Sequence, residues 1–320
     1  MSRIKTYVSK KFLFDFESEY IKLKMAFDPE DRTFEKFDSA YLVLSDSEMR
    51  LGMDESDLKG IISEGGNPLL KMLLKKRSDV CIDPHVFDGI TDRNGQDYFG
   101  EGADRFPIEL YCIDGILTEK NIKQYTGYYG YTFLDIAQLK RLKIKEEYQI
   151  GINKLDHQAI YDAFNPYHSL IIIDPYLFDK YENQQQLFQL ITNILPQKAK
   201  KGVHIDVITK RLDDHKFKKR FEDNIADLTS ETKVGIHLKI HEVAAMYLHD
   251  RNYIGNNFMV NFGHGLEAMK DKRDSDIRVD TLFSRTDNKN FMQKLIEKLA
   301  FYRNIIKTDL GKNPIWKVLD

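Results

Sequence analysis

The sequence predicts an α/β protein built as two domains. Three observations carry that expectation. At 320 residues the chain is about twice the usual ~150 residues of one domain. Its second half alternates short apolar runs with amphipathic stretches. One of those runs, Leu170-Ile171-Ile172-Ile173, is continuously apolar, as in a strand buried on both faces. Residues 160–320 are therefore read as a domain with a mostly parallel sheet flanked by helices. Residues 1–150 are read as a mixed α/β or α+β domain of undefined role.

In the first half, Tyr20 to Phe27 and Pro68 to Lys76 read as helical. Ala40-Tyr41-Leu42-Val43-Leu44 and Phe106 to Ile113 read as strands. Asp83 to Asp104 is rich in Asp and Gly and reads as a long loop. Within it, Asp92 to Asp97 resembles a calcium loop but has Asp97 where the sharp turn needs glycine. The Tyr- and Gly-rich segment Gln124 to Tyr131 reads as a turn feeding a core, and residues 138–160 as a linker. In the second half the strand ended by Asp174-Pro175 is followed by a helix over Leu177 to Leu195. Then come a strand over Val203 to Thr209, a helix over Asp213 to Leu228 and a strand over Val234 to Ile240. A further helix, Asn290 to Ile306, carries Phe291, Leu295, Leu299 and Tyr302 as one stripe.

Composition excludes several classes. The 48 Lys+Arg nearly balance 50 Asp+Glu, which argues against a strongly basic nucleic-acid coat; 42% hydrophobic residues argue against disorder. The balance is uneven along the chain, net −5 over 1–160 and +3 over 161–320. A phosphate-bearing partner is therefore expected on the second half. Two cysteines, Cys81 and Cys112, can form neither a disulfide framework nor a cysteine zinc site unaided, and are expected as buried thiols. His204, His237 and His241 lack partners at metal-ligand spacing, so no metal is expected. Phosphate-binding and dinucleotide glycine motifs are absent from the sequence, as is a Gly-x-Ser-x-Gly elbow, and no cofactor is expected. Without a signal-like or membrane-spanning apolar segment, the expected location is cytoplasmic.

The chemistry-bearing stretch follows the third strand. In Leu248-His249-Asp250-Arg251, alternate residues of a strand would share a face, putting His249 and Arg251 side by side. Arginine offers a fixed fork of donors for phosphate, and a neutral imidazole can donate a hydrogen bond or attack phosphorus. Asn256 lies five residues beyond Arg251, and Gly263-His264-Gly265 forms the next turn.

The order Ile173-Asp174-Pro175-Tyr176, Val207-Ile208-Thr209, His249-Asp250-Arg251, Asn256-Asn257 and Gly263-His264-Gly265-Leu266-Glu267 resembles a known family. It is similar to the phospholipase-D-like C-terminal domain of MIT-domain-containing proteins, over residues 162–285. His249-x-Arg251, four residues, then Asn256 resembles a degenerate His-x-Lys-x4-Asp motif. His264 stands where that family has arginine, and Glu267 replaces aspartate. The resemblance implies a phosphoinositide-binding, non-hydrolytic relative of phospholipase D. Catalytic members pair two motifs, so an enzyme would need a homodimer. The first half does not read as an MIT bundle, so that module's binding partners are not carried over.

His249, Arg251 and Asn256 are thus the candidate catalytic residues. Asp174, Asp250 and His264 are candidate binding residues, and Lys210, Arg211, Lys218 and Lys219 auxiliary charge. The expected function is recognition of a phosphodiester or other anion, with nucleic acid as partner, within a prokaryotic defence or nucleic-acid-processing assembly. Two alternatives stay open: a homodimeric, metal-independent phosphodiesterase or nuclease using His249, and a module binding anionic lipid headgroups. The N-terminal domain is left as a surface for partner proteins.

Overall fold

The computed structural model describes residues 4–26, 28, 33–63, 70–71, 74–75, 80–86, 108–112, 132–141, 145–150, 168–195, 202–212, 214–249, 251–256, 258–262, 275–282, 285–286 and 289–320. The chain divides into two compact units. The first is drawn from Met1–Lys123 and Tyr131–Leu142, the second chiefly from Lys143–Asp320. The segments Asp92–Asp97 and Gln124–Tyr131 singled out above lie outside the described residues.

The first unit is α/β with a parallel sheet. Strands β1 (Ile4–Ser9), β2 (Glu48–Gly52), β3 (Val80–Ile82), β4 (Ile108–Cys112) and β5 (Thr132–Leu134) lie in the order β3-β2-β1-β4-β5, with parallel pairings throughout. Helices α1 (Lys10–Met25), α2 (Thr33–Asp46), α3 (Glu55–Ser63) and α4 (Ile136–Arg141) connect or follow them. Ser9 ends β1 and starts α1, its hydroxyl accepting from the Phe12 amide at 3.1 Å. Phe12, Phe16 and Phe37 are fully buried, and Phe16 stacks on Phe37 with ring centroids 5.2 Å apart.

This corrects the strand expected at Ala40–Leu44, which is the middle of α2. Phe37, Ala40 and Leu44 are buried at i, i+3 and i+7, and that helical stripe outweighs the local β-propensity of Tyr-Leu-Val-Leu. The thiols also differ from expectation in part. Cys112 is buried, and burial pushes its thiol pKa well up, whereas Cys81 is exposed.

The second unit is a seven-stranded mixed sheet in the order β6-β12-β11-β10-β7-β8-β9. Its strands are β6 (Lys145–Ile150), β7 (Ser169–Ile173), β8 (Val203–Lys210), β9 (Ile236–Val243), β10 (Asn252–Gly255), β11 (Phe258–Phe262) and β12 (Ser275–Thr281). Only β7-β8-β9 are mutually parallel. β7–β10, β10–β11, β11–β12 and β12–β6 pair antiparallel, so the mostly parallel sheet expected is half of the answer. The expected linker 138–160 takes in the end of α4 and all of β6, and β6 belongs to the second unit's sheet.

Helices α5 (Tyr181–Ile194) and α6 (Lys216–Thr232) connect the parallel strands, and α7 (Phe291–Ile305) follows the short hairpin β13 (Arg285–Thr286) with β14 (Lys289–Asn290). Helix α5 begins later than expected because Leu177 and Phe178 are buried in turns, and the Asn183 amide anchors the first helical turn on the Tyr176 carbonyl at 3.0 Å.

The two faces of β7 explain its unbroken apolar run. Leu170 and Ile172 join the core cluster formed with Leu187, Leu190 and Ile191 of α5 and Phe221, Ile225 and Leu228 of α6. Ile171 and Ile173, also fully buried, point the other way. Burial of each such side chain contributes about 1.5–3 kcal/mol. On that second face the C-terminal segment is anchored by polar contacts. The Trp316 indole N–H donates to Asp206 Oδ2 at 2.6 Å, His241 Nδ1 meets Thr308 Oγ1 at 3.2 Å, and Lys239 pairs with Asp309 at 2.9 Å. Asn313 adds a bond from its amide to the Leu170 carbonyl.

His204 and His237, cross-strand neighbours on β8 and β9, stack with ring centroids 4.6 Å apart. Burial, then the neighbouring His237, lowers the His204 pKa below its ordinary 6.5, against the opposing pull of Asp206. A histidine whose pKa is depressed on folding contributes stability that is present above the unfolded value and lost as pH falls through the folded one. We therefore expect the urea midpoint to fall as pH drops below about 6.5, and His204→Phe to flatten that slope. An unchanged slope in the variant would refute the assignment.

Candidate functional site

Register places one row of residues straight across the second sheet. His241, Ile208, Ile173, Asn252, Asn261 and Arg278 are successive cross-strand partners from β9 to β12. Directly paired residues share a face, so the row passes from apolar at β7–β8 to polar at β10–β12. Asparagine is depleted in strands, and two side by side inside otherwise apolar strands are a departure that packing alone does not call for. Helix α7 adds Lys294, Glu297, Lys298, Phe301 and Tyr302 over this polar end. Together they line a cavity of about 880 Å³, within the size range of small-molecule sites.

The cavity is electrostatically mixed with a cationic excess. Arg278, Lys294 and Lys298 line it with His249, against Asp280 and Glu297. Lys298 Nζ donates to Asn252 Oδ1 at 3.2 Å, and the Asn261 amide donates to the same oxygen at 3.3 Å. Lys294 Nζ lies 3.4 Å from Asp280 Oδ2. Asn252 is only 2% exposed, yet its Nδ2 has no hydrogen-bond partner; Asp280 Oδ1 and Arg278 Nε make no hydrogen bond but face each other as an ion pair at 3.9 Å. A buried donor left unpaired costs about 1–3 kcal/mol. Such a group is explained when a ligand completes it.

The residues singled out from sequence are dispersed. His249 is exposed and lines the cavity. Arg251 faces elsewhere: its Nε lies 3.7 Å from Asp174 Oδ1, and its guanidinium sits over the Tyr176 ring at 4.9 Å. The reason is that β10 begins at Asn252, so His249 and Arg251 precede the strand and its alternation does not govern them. Asp174 is buried and also accepts from the Tyr176 amide at 2.9 Å. It is the partner that holds Arg251. Asn256 is buried in the turn after β10, where its side-chain oxygen accepts from the His168 amide at 3.1 Å, a structural use. Asp250 and His264 lie outside the described residues.

The auxiliary cations divide similarly. Lys210 pairs with Asp179 at 2.6 Å and lies 5.1 Å from the centre of the Tyr176 ring, which Arg251 also approaches. Lys218 pairs with Glu242 at 2.7 Å. Burial pushes the Glu242 carboxyl up, but the bonds from Lys218 and the Leu212 amide, with the charges of Lys218 and His215, together hold it below the usual range. Arg211 and Lys219 are exposed. None of these four lines the cavity.

Sequence reading missed Asn252, Asn261, Arg278, Lys294 and Lys298. The usable signal was the pair of asparagines inside the apolar runs Asn252-Tyr253-Ile254 and Phe258-Met259-Val260-Asn261. Among the described residues no group of three His, Cys, Asp or Glu side chains could hold a metal ion, and no helix is long and apolar enough to cross a membrane. Compared with family models and with curated proteins, the chain matches none.

Proposed function

We propose that the second unit recognises the phosphodiester group of a nucleic acid in the cavity beneath α7. The observation that carries this reading is the polar row Asn252-Asn261-Arg278 beneath Lys298, with a buried amide donor still unpaired. Phosphate oxygens accept from amide, guanidinium and ammonium donors together, and charged hydrogen bonds of this kind are about twice as strong as neutral ones. The phospholipase-D-like relationship is part of the proposal. It is supported by the β7-α5-β8-α6-β9 order and by the opening of His249 into the cavity. In this reading the β10–β12 side chains bind, and Arg251 and Asn256 keep the structural partners described above.

The test is the affinity for a labelled single-stranded oligonucleotide at two salt concentrations. Arg278→Ala and Lys298→Ala should each weaken binding about tenfold or more and reduce its salt dependence. Lys219→Ala, outside the cavity, should change it far less. Equal losses in all three variants would move the function to the basic patch and overturn the assignment.

The position of His249 in the same cavity favours a second reading, in which its imidazole attacks phosphorus. Cleavage of the oligonucleotide in EDTA that disappears in His249→Ala would establish it. An uncleaved, tightly held oligonucleotide would leave recognition as the function.

A further inference from the structure

The cavity carries features that a bare phosphate does not use. Phosphate oxygens need donors only, but Asp280 adds a carboxylate to the lining, with Lys294 Nζ 3.4 Å from Oδ2 and Arg278 Nε 3.9 Å from Oδ1. Two aromatic rings line the same cavity while remaining open to solvent: Tyr247 is 43% and Phe301 47% exposed. Tyr247 belongs to the short 3-10 turn Ala245–Tyr247, and Phe301 lies on α7, so the rings come from separate elements. Phe301 is braced by Tyr302, whose ring meets it edge-on with centroids 5.2 Å apart. Exposed aromatics beside a cationic floor match a ligand with one anionic end and one flat, apolar-faced end.

From this we infer that the cavity takes a single nucleotide unit of an unpaired strand, base included. The phosphate lies on Arg278, Lys298 and the Asn252 amide. The base stacks on Tyr247 or Phe301. An unpaired strand is required because a duplex buries the faces of its bases, leaving the rings with nothing to engage. This inference rests on the phosphate reading above and names its substrate class.

The test compares guanosine 5′-monophosphate, ribose 5-phosphate and inositol 1,4-bisphosphate by calorimetric titration of the full chain. The nucleotide should bind about tenfold or more tightly than ribose 5-phosphate. Phe301→Ala and Tyr247→Ala, both at exposed positions that folding tolerates, should together bring that ratio close to one. Equal affinity for the nucleotide and ribose 5-phosphate would overturn the base inference while the phosphate reading stands. Inositol bisphosphate bound as tightly as the nucleotide would also overturn it, in favour of a polyol phosphate. Failure of all three probes to bind would overturn both.

Discussion

Trp316→Phe is expected to destabilise the second unit by about 3 kcal/mol, read as a lower urea midpoint by far-UV circular dichroism. The indole N–H is the short donor to Asp206 Oδ2, on a carboxylate only 2% exposed in the central part of β8. Phenylalanine fills most of the indole's volume, so the cavity left is small, and the loss is chiefly that of a charge-assisted hydrogen bond in a dry site. His241, with Nε2 3.7 Å from the same oxygen, is too far to take over as donor without moving. Removing both partners separates this account from simple repacking. Asp206→Leu combined with Trp316→Phe should be less destabilised than the sum of the two single changes, because no orphaned charge remains. Strict additivity would show that the indole packs against the sheet without supporting Asp206.

Gly255→Ala should be comparably damaging, by about 2–3 kcal/mol, and should weaken oligonucleotide binding as well. A β-carbon at Gly255 would lie 2.1 Å from Cε1 of Phe258, a ring with no exposed surface. Neither the ring nor the strand has room to retreat, since Phe258 is part of the core beside Tyr253 and Val260. The strain falls on the hairpin that carries Asn252 on one arm and Asn261 on the other, so their shared oxygen contact at 3.3 Å should loosen. Phe258→Leu in the same chain should restore part of the stability by vacating the ring edge. Wild-type affinity in Gly255→Ala would separate the hairpin from the site.

Periodicity exposed the helical half of the second unit because its stripes face a single core. Leu187, Leu190, Ile191 and Ile194 of α5, and Leu295 and Leu299 of α7, recur at helical spacing and are buried. The antiparallel strands were less legible for a physical reason. A strand that lines a cavity puts polar side chains on what would otherwise be its apolar face, so Asn252, Asn261, Arg278 and Asp280 blur the alternation that identifies strands. The same substitution hid the site. Lys294 and Lys298 lie off the apolar stripe of α7 and carry no signal of their own; only the fold brings Lys298 to Asn252 and Lys294 to Asp280. His249 was legible because its neighbourhood carries a motif, but Arg251 could be assigned to Asp174 only once the start of β10 was known. In the first unit, α2 shows how four consecutive β-prone residues mislead when the stripe that decides their state begins at Phe37.

The edge strand β6 enters the second sheet from the other end of the sequence. Lys145 pairs with Asp280 and Ile150 with Ser275, whereas β7, β8 and β9 are neighbours both in space and in sequence. Zipping these two regions makes very different demands on the chain. The consecutive strands close short loops through intervening helices, while β6 must await synthesis and collapse of everything up to β12 before its ladder can form. Assembly of this unit should thus be late at that border, and amide exchange there should be the fastest in the sheet.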